Sequence, residues 1–383
     1  MLAEVNPLPT ETLPVGDADR RVLAEPVRAL VDLPPFASSA MDGFAVRAAD
    51  TPGTLPLAGS SAAGSPLDMP LPAGRAAPIS TGAVVPEGAD AVVPVEHAKL
   101  SGGAVEVEGV VSGQHVRPQG GDARAGDLVA DAGLRLGPWT VAAAAAVGVA
   151  VVRVARRPRV SVLVTGSELR DPGTPLRPGE IYDSNSRLLA ALLADAGADV
   201  SVLGAVADDE QSTRDALERG LQADVLVTSG GVSVGEHDLV RGALASLGAE
   251  ELFWRVAVKP GKPASFGVRG STLIFGLPGN PVSALVGFEL FVRPAVLALQ
   301  GATRPGPSWL PGRLGAPVWR DRDRDQLVRA RRRTGDDAVF LDPVGGQESH
   351  MIVRAAGADA LVLVERGEGE QPPGSAVRYL APT

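Results

Sequence analysis

The sequence predicts a multidomain α/β protein. A central, doubly wound, mostly parallel sheet is expected beside a Gly/Pro-rich β domain, a small linking domain and a C-terminal β-barrel-like domain. Three observations predict this. Between residues 157 and 302 short apolar runs alternate with segments of helical length, the pattern of strands joined by crossover helices. On either side the text turns dense in Gly and Pro with short alternating runs, which read as strands and turns. The 383 residues also exceed the size at which one hydrophobic core stops growing. The expected division is 1–30 with 126–156 as a discontinuous linking domain, 31–125 as the Gly/Pro-rich domain, 157–302 as the α/β domain and 303–383 as the C-terminal β domain.

In chain order, residues 17–30 read as a helix or an extended packing arm, and "GAVEVEGVV" as a strand with its turn. Gly137-Pro138 opens a small helix, with proline in its first turn, and Gly148 stops it. Then "PRVSVLVTGSEL" is a strand and loop, "NSRLLAALLADAGA" a helix, "DVSVLGAVAD" a strand and "DEQSTRDALERGL" a helix. "DVLVTSGGVSVGEHD" repeats the strand and loop, "LVRGALASLGA" the helix. "GLPGNPVSALVGFELFVRPAVLALQ" supplies another loop, at 276–281, and a helix with Pro281 in its first turn. "DALVLVERGEG" reads as a strand of the last domain.

Composition excludes several chemistries. Without cysteine there is no disulfide, thiolate metal site or cysteine nucleophile, and the histidines, at 97, 115, 237 and 350, are too scattered for a histidine metal centre. A formal charge of −9 argues against general nucleic-acid binding while leaving room for a local basic site. The N-terminus lacks the basic and apolar regions of a signal peptide. No apolar run reaches 18 residues, and the Ala-rich stretch 141–152 is too short to span a bilayer. A cytoplasmic protein without membrane attachment is expected.

In an open α/β sheet ligands bind beyond the carboxyl ends of the strands. The loops at 165–168 ("TGSE"), 207–209 ("ADD") and 229–238 ("SGGVSVGEHD") would share that edge, and each contains acid. Ser229, Gly230, Gly231, Ser233 and Gly235 allow a tight turn with exposed backbone N–H groups, suited to phosphate. Glu236 and Asp238 would repel that phosphate unless a divalent cation such as Mg²⁺ came between. Asp238 can equally cap the following helix.

Six motifs, in order, then meet in one chain: "PPFASSAMDGFAVR" (34–47), "STGAVVPEGADAVVPVE" (80–96), "VLVTGSEL" with "GEIYDSNS", "TSGGVSVGEHD", "VKPGKPASFG" (258–267) and "GLPGNPVSAL" (276–285). Together they resemble the molybdopterin molybdenumtransferase family, which includes the E domain of gephyrin, over nearly the whole chain. The resemblance implies insertion of molybdate into adenylylated molybdopterin, with Mg²⁺ dependence and release of AMP. The pterin dithiolate would supply the sulfur ligands, so the enzyme needs no cysteine. Its tasks would be positioning and phosphoanhydride cleavage.

By motif, the resemblance assigns metal and substrate acids to Glu168, Asp208 and Asp238, with Asp42 and Asp122 contributed from the second domain. Asp208 is preferred over Asp209, the other being free to cap the next helix. Asp183, Ser184 and Asn185 precede a strong helix, where any one is a plausible N-cap; the resemblance sets this turn at nucleotide or pterin phosphates. Lys259 and Lys262 flank Pro260-Gly261 between two short strands, either as ordinary surface lysines or as a pair facing pyrophosphate or molybdate. Pro278 and Pro281 restrict the turn of a cleft loop, and Asn280 can cap the helix behind it. Thr81, with Ser80, would line the cleft from the other domain. His237 is expected at its rim rather than in the shared chemistry, and Phe44 stands where the family more usually has tyrosine.

The family's elongated homodimers imply a second wall supplied in trans by the "MDG" and "GGD" loops. The molybdopterin adenylyltransferase is a candidate partner. It is also the alternative function, since its α/β domain is related, but the "MDG" and C-terminal domains favour the insertase. A tungstate-preferring insertase is a further alternative. A scaffold without activity has no receptor-binding signature in its favour.

Overall fold

The computed structural model describes residues 1–206, 209–231 and 239–382. Asp208, Ser233, Gly235 and Asp238 of the expected site, with Glu236 and His237, lie outside the described residues.

Six strands form the central sheet: β1 (Arg159–Thr165), β2 (Asp199–Val206), β3 (Val225–Ser229), β4 (Glu250–Trp254), β5 (Ser265–Arg269) and β6 (Thr272–Leu277). Their order is β2-β1-β3-β6-β5-β4. The first three pairings are parallel and the last two antiparallel, so the parallel character expected from the alternating pattern stops at β6. The departure has a local cause: β5 and β6 are joined by the tight turn at Gly270, which cannot hold a crossover helix.

The helices are α1 (Asn185–Asp195), α2 (Glu210–Gly220), α3 (Leu239–Ser246) and α4 (Pro281–Leu299), the last with a π turn over Phe288–Val292. Strand side chains alternate between faces. Val160, Val162, Val225 and Val227 therefore pack with Leu189 and Leu193 of α1 and Phe288 and Val292 of α4. Leu163, Leu226 and Ile274 pack on the opposite face with Leu217 of α2 and Val240 of α3. Phe266 and Phe275 are fully buried with ring centroids 5.0 Å apart, each contributing roughly 1.5–3 kcal/mol by burial. With mean hydropathy 1.8, α4 is apolar and long enough to cross a membrane, yet it is mostly buried against this sheet.

Residues 17–30 contain no α-helix and form an extended arm. Thr10–Pro14 pairs with Val151–Ala155 and Val27–Arg28 with Leu128–Ala130, so Leu23 and Val27 share a core with Leu136, Ala144 and Val154. The intervening helix is Pro138–Ala146, and Gly148 (φ +87°) turns the chain after it. Residues 43–107 form two three-stranded sheets, with Phe44 and Val46 packed on one side of a strand and Ala45 on the other.

The C-terminal sheet closes on itself. Asp325–Thr334 pairs with Val339–Pro343 and with Ala360–Val364, and Leu310–Leu314 and Ala376–Leu380 complete a five-stranded ring. Val258–Lys259, leaving the central domain, adds to Asp325 and Gln326 of this ring in parallel.

Candidate active site

The parallel strands end at Thr165, Ser229 and Leu277. Beyond them lies a cavity of about 580 Å³ lined by the expected residues Glu168, Ser184, Asn185, Ser229, Gly230, Gly231, Pro278 and Pro281. A larger cavity of about 990 Å³ lies elsewhere, between the linking segment and the connector to the C-terminal ring; size alone does not select it.

Two glycines make room on the floor of the smaller cavity. Gly230 has φ +93°, and a Cβ there would stand 2.8 Å from both the carbonyl oxygen and Oγ1 of Thr165. Gly166 has φ +151°, and a Cβ there would stand 2.7 Å from both carboxylate oxygens of Glu168. The glycine thus admits a carboxylate to the end of β1. Glu168 is itself exposed, and its carboxylate has no hydrogen-bond partner among the described residues.

The turn before α1 divides its labour. Asp183 is buried and caps the helix, accepting from Ser186 N at 3.0 Å and from Ser186 Oγ. Ser184 makes no cap bond and faces the cavity. Asn185, also buried, donates through Nδ2 to Ser229 Oγ (2.8 Å) and to the Gly279 carbonyl (2.7 Å), tying the α1 turn to two other loops. Its Oδ1 is buried without a partner among the described residues, an acceptor whose isolation costs free energy.

The end of β2 leads to Asp209, whose carboxylate accepts from Ser212 N at 2.8 Å and caps α2. Those N–H donors hold its carboxyl below the usual carboxylate range.

Asn280 corrects an expectation. It sits at the N-cap position of α4, but its side chain makes no cap bond and donates to Ser349 Oγ at 2.8 Å. Pro281 leaves the first turn of α4 without one N–H to satisfy, and the side chain is recruited by the C-terminal ring instead. Val282 N donates to the Ser349 carbonyl at 3.1 Å, so the two domains are stitched together here.

Sequence reasoning missed this contribution. His350 and Ile352 line the cavity from a loop that the buried Arg329 organises. Its guanidinium donates to the carbonyls of Met351 (2.9 Å), Gly346 (2.8 Å) and Glu348 (3.2 Å). Burial lowers its pKa from the ordinary value. No local pattern marks Arg329, because its partners are all carbonyls of a turn some 20 residues on.

Five further candidates lie apart from this cavity's lining. Lys259 faces Asp321 of the C-terminal ring at 3.4 Å, and Lys262 is exposed, with its carbonyl accepting from Val256 N. Thr81 N donates to Asp42 Oδ1 at 2.7 Å, so these two share one exposed turn of the Gly/Pro-rich domain. Asp122 is exposed on a neighbouring loop, its N–H donating to the Leu33 carbonyl. Arg255, also unforeseen, follows β4 in a left-handed conformation (φ +71°) and makes no ion pair among the described residues.

Among the described residues no three His, Asp or Glu side chains cluster as a metal cage. Glu168 nevertheless offers a hard carboxylate oxygen on the cavity lining, a donor that fits Mg²⁺, which commonly takes one or two carboxylates and completes its shell with water and phosphate.

Comparison with known proteins matches this architecture along the chain. The family model of the MoeA N-terminal region (domains I and II) matches residues 1–148, that of a probable molybdopterin binding domain 161–298, and that of the MoeA C-terminal region (domain IV) 311–381. The molybdopterin molybdenumtransferase of Haemophilus influenzae is 41% identical over 307 residues, covering 78% of this chain and 76% of its own. Molybdopterin molybdenumtransferase 2 of Mycobacterium tuberculosis is 41% identical over 386 residues, covering 94% and 93%. The crystal structure of the molybdopterin biosynthesis MoeA protein from Pyrococcus horikoshii superposes with a TM-score of 0.78 at 32% identity, over 100% of this chain and 97% of that one. With a glycine-floored cavity at the sheet's carboxyl edge and all three regions matched in order, the chain belongs to the molybdopterin molybdenumtransferase (MoeA) family.

Proposed function

We propose that this protein inserts molybdate into adenylylated molybdopterin, releasing AMP in an Mg²⁺-dependent reaction. The observation that carries the reading is the cavity beyond β1, β3 and β6, which joins a glycine turn to a carboxylate without a donor, and a buried amide oxygen without a partner, among the described residues. The Gly230 N–H is already donated to the Leu277 carbonyl at 3.1 Å, and the side-chain-free turn that follows at Gly231 would let phosphate oxygens approach the backbone. Glu168, with Asp208 and Asp238 outside the described residues, would hold Mg²⁺, which when bound offsets the charge of the phosphoanhydride. Asn185 ties the α1 turn to Ser229 and Gly279 and so fixes the wall of the cavity. The Ser349–His350 loop closes one side of the cavity and limits water.

The acting molecule is read as a cytoplasmic homodimer. Trp139 (90% exposed), Leu30 (63%) and Val151 (56%) lie bare on the linking elements, and a second copy would cover them. In that arrangement Asp42, Thr81 and Asp122 of one subunit approach the cavity of the other. Lys259 and Lys262 would meet the anionic ends of the substrates, Lys259 held back by Asp321 until they arrive.

The test is incubation with adenylylated molybdopterin, Mg²⁺ and molybdate, quantifying AMP and molybdenum-loaded molybdopterin together. Matched, molybdate-dependent formation of both is expected, and tungstate competition then decides oxyanion preference. Formation of adenylylated molybdopterin from ATP and molybdopterin, without insertion, would move the assignment to the adenylyltransferase.

A further inference from the structure

We propose that Trp254 is a positioning residue of this site: its indole holds the Arg255 guanidinium flat, so that the in-plane N–H groups of Arg255 meet an oxyanion of the substrate. The inference rests on the reading of a phosphate-bearing substrate given above.

Direction and register bring the pair to the site. β4 is antiparallel to β5, and β5 to β6, so β4 runs the same way as β1, β3 and β6 and its carboxyl end shares their edge. Trp254 is that end. Arg255 N donates to the Ala264 carbonyl at 2.9 Å, one residue from Pro263, which lines the cavity.

The backbone of Arg255 is costly. A left-handed conformation disfavours any residue with a Cβ by about 1–2 kcal/mol, and glycine would adopt it freely. An arginine there needs a contact to hold it. Its Cζ stands 3.9 Å from the centroid of the Trp254 ring, and the Cζ of Arg241 stands 4.0 Å from the same centroid. Two guanidiniums thus lie over the one indole.

The two cations differ in what remains to them. Arg241 is locked to Glu251 by a pair of bonds at 2.8 and 2.7 Å. Arg255 is exposed with its Cζ over the indole, and its guanidinium has no hydrogen-bond acceptor among the described residues, which leaves its N–H fork for a planar or tetrahedral oxyanion. The Trp254 Nε1–H is buried without a partner among the described residues, a cost that phenylalanine or leucine would avoid. What the indole supplies in return is the strongest π face for a cation.

The experiment is a double-mutant cycle of Trp254→Leu and Arg255→Ala, with Trp254→Phe made in both backgrounds in case the leucine variant folds poorly. The expected result is that W254L raises KM for adenylylated molybdopterin about tenfold with kcat nearly unchanged, that W254F recovers most of the loss, and that neither change at Trp254 adds anything once Arg255 is alanine. An effect of Trp254 that persists in the R255A background shows mere packing and overturns the inference, as does failure of phenylalanine to recover KM. If the wild type does not turn over, the functional reading falls separately. Calorimetric titration of inorganic pyrophosphate into the same proteins then decides: coupled losses support the inference, and additive losses or no binding by the wild type overturn it.

Discussion

Glu168 and Asp321 are both carboxylates near the lysine turn and the strand ends, and their surroundings separate their tasks. Glu168 has no donor among the described residues, while Asp321 is held to a pKa of about 2 by Arg324 first, against burial, and then by the Asp323 N–H and Lys259. Removing Glu168 strips charge from the cavity and nothing from the core. Glu168→Ala is expected to lower kcat for AMP release by about 100-fold or more and to change stability by less than about 0.5 kcal/mol, checked by steady-state assay and urea unfolding. Asp321 behaves oppositely. Its folded pKa lies below the ordinary 3.8, so the stability it contributes is present above about pH 4 and lost as pH falls toward 2. With solvent screening allowed for, Asp321→Asn should cost about 1 kcal/mol near neutrality. The difference in urea midpoint from wild type should shrink between pH 5 and pH 3; a constant difference would rule out the ionised group as its source.

The loop at 344–351 depends on one side chain more than on its own sequence. Arg329 gives N–H groups to three of its carbonyls and accepts Gln347 Nε2 at its own carbonyl, and the nearby Glu348 carboxylate only partly offsets the cost of burying the guanidinium. Arg329→Met keeps the volume but orphans those carbonyls, an expected loss of about 2–4 kcal/mol. Amide exchange should accelerate first at residues 344–352, and uniform acceleration across the C-terminal ring would refute a local role. This element also marks where sequence reading stops. The strands ending at Thr165, Ser229 and Leu277 were legible, because apolar runs followed by glycine and acid are local signals. The capping role of Asp209 was one of two open readings for the same reason. The addition of Val258–Lys259 to Asp325 and Gln326, the Asn280–Ser349 bond and the His350 wall were not legible, since each joins residues more than 60 positions apart. Asn280 is the instructive residue: local rules assign it to a helix cap, and a tertiary acceptor outbids them.

At the scale of the whole molecule, the acids assigned to one site are divided between two places in the chain. Glu168 lines the cavity, while Asp42, bonded to Thr81 N, lies on a turn of the Gly/Pro-rich domain outside the lining. If a second subunit brings Asp42 to Glu168, each dimer has two composite sites, every one built from both chains. Glu168→Ala and Asp42→Ala homodimers would then both be inactive, each lacking one component at both sites. A hybrid dimer puts both defects into one site and leaves the other intact. Random mixing in equal amounts makes half the dimers hybrid, so about a quarter of all sites, and of wild-type activity, should return. A single-chain site predicts no recovery at all. The same mixture made with Trp139→Glu in both chains supplies the control, because a charge on the bare face of the Pro138–Ala146 helix should prevent pairing and abolish the recovery. Dimers that persist in sedimentation despite Trp139→Glu, with recovery retained, would reject this face as the interface, and absence of recovery in intact dimers would return Asp42 to a role within its own subunit.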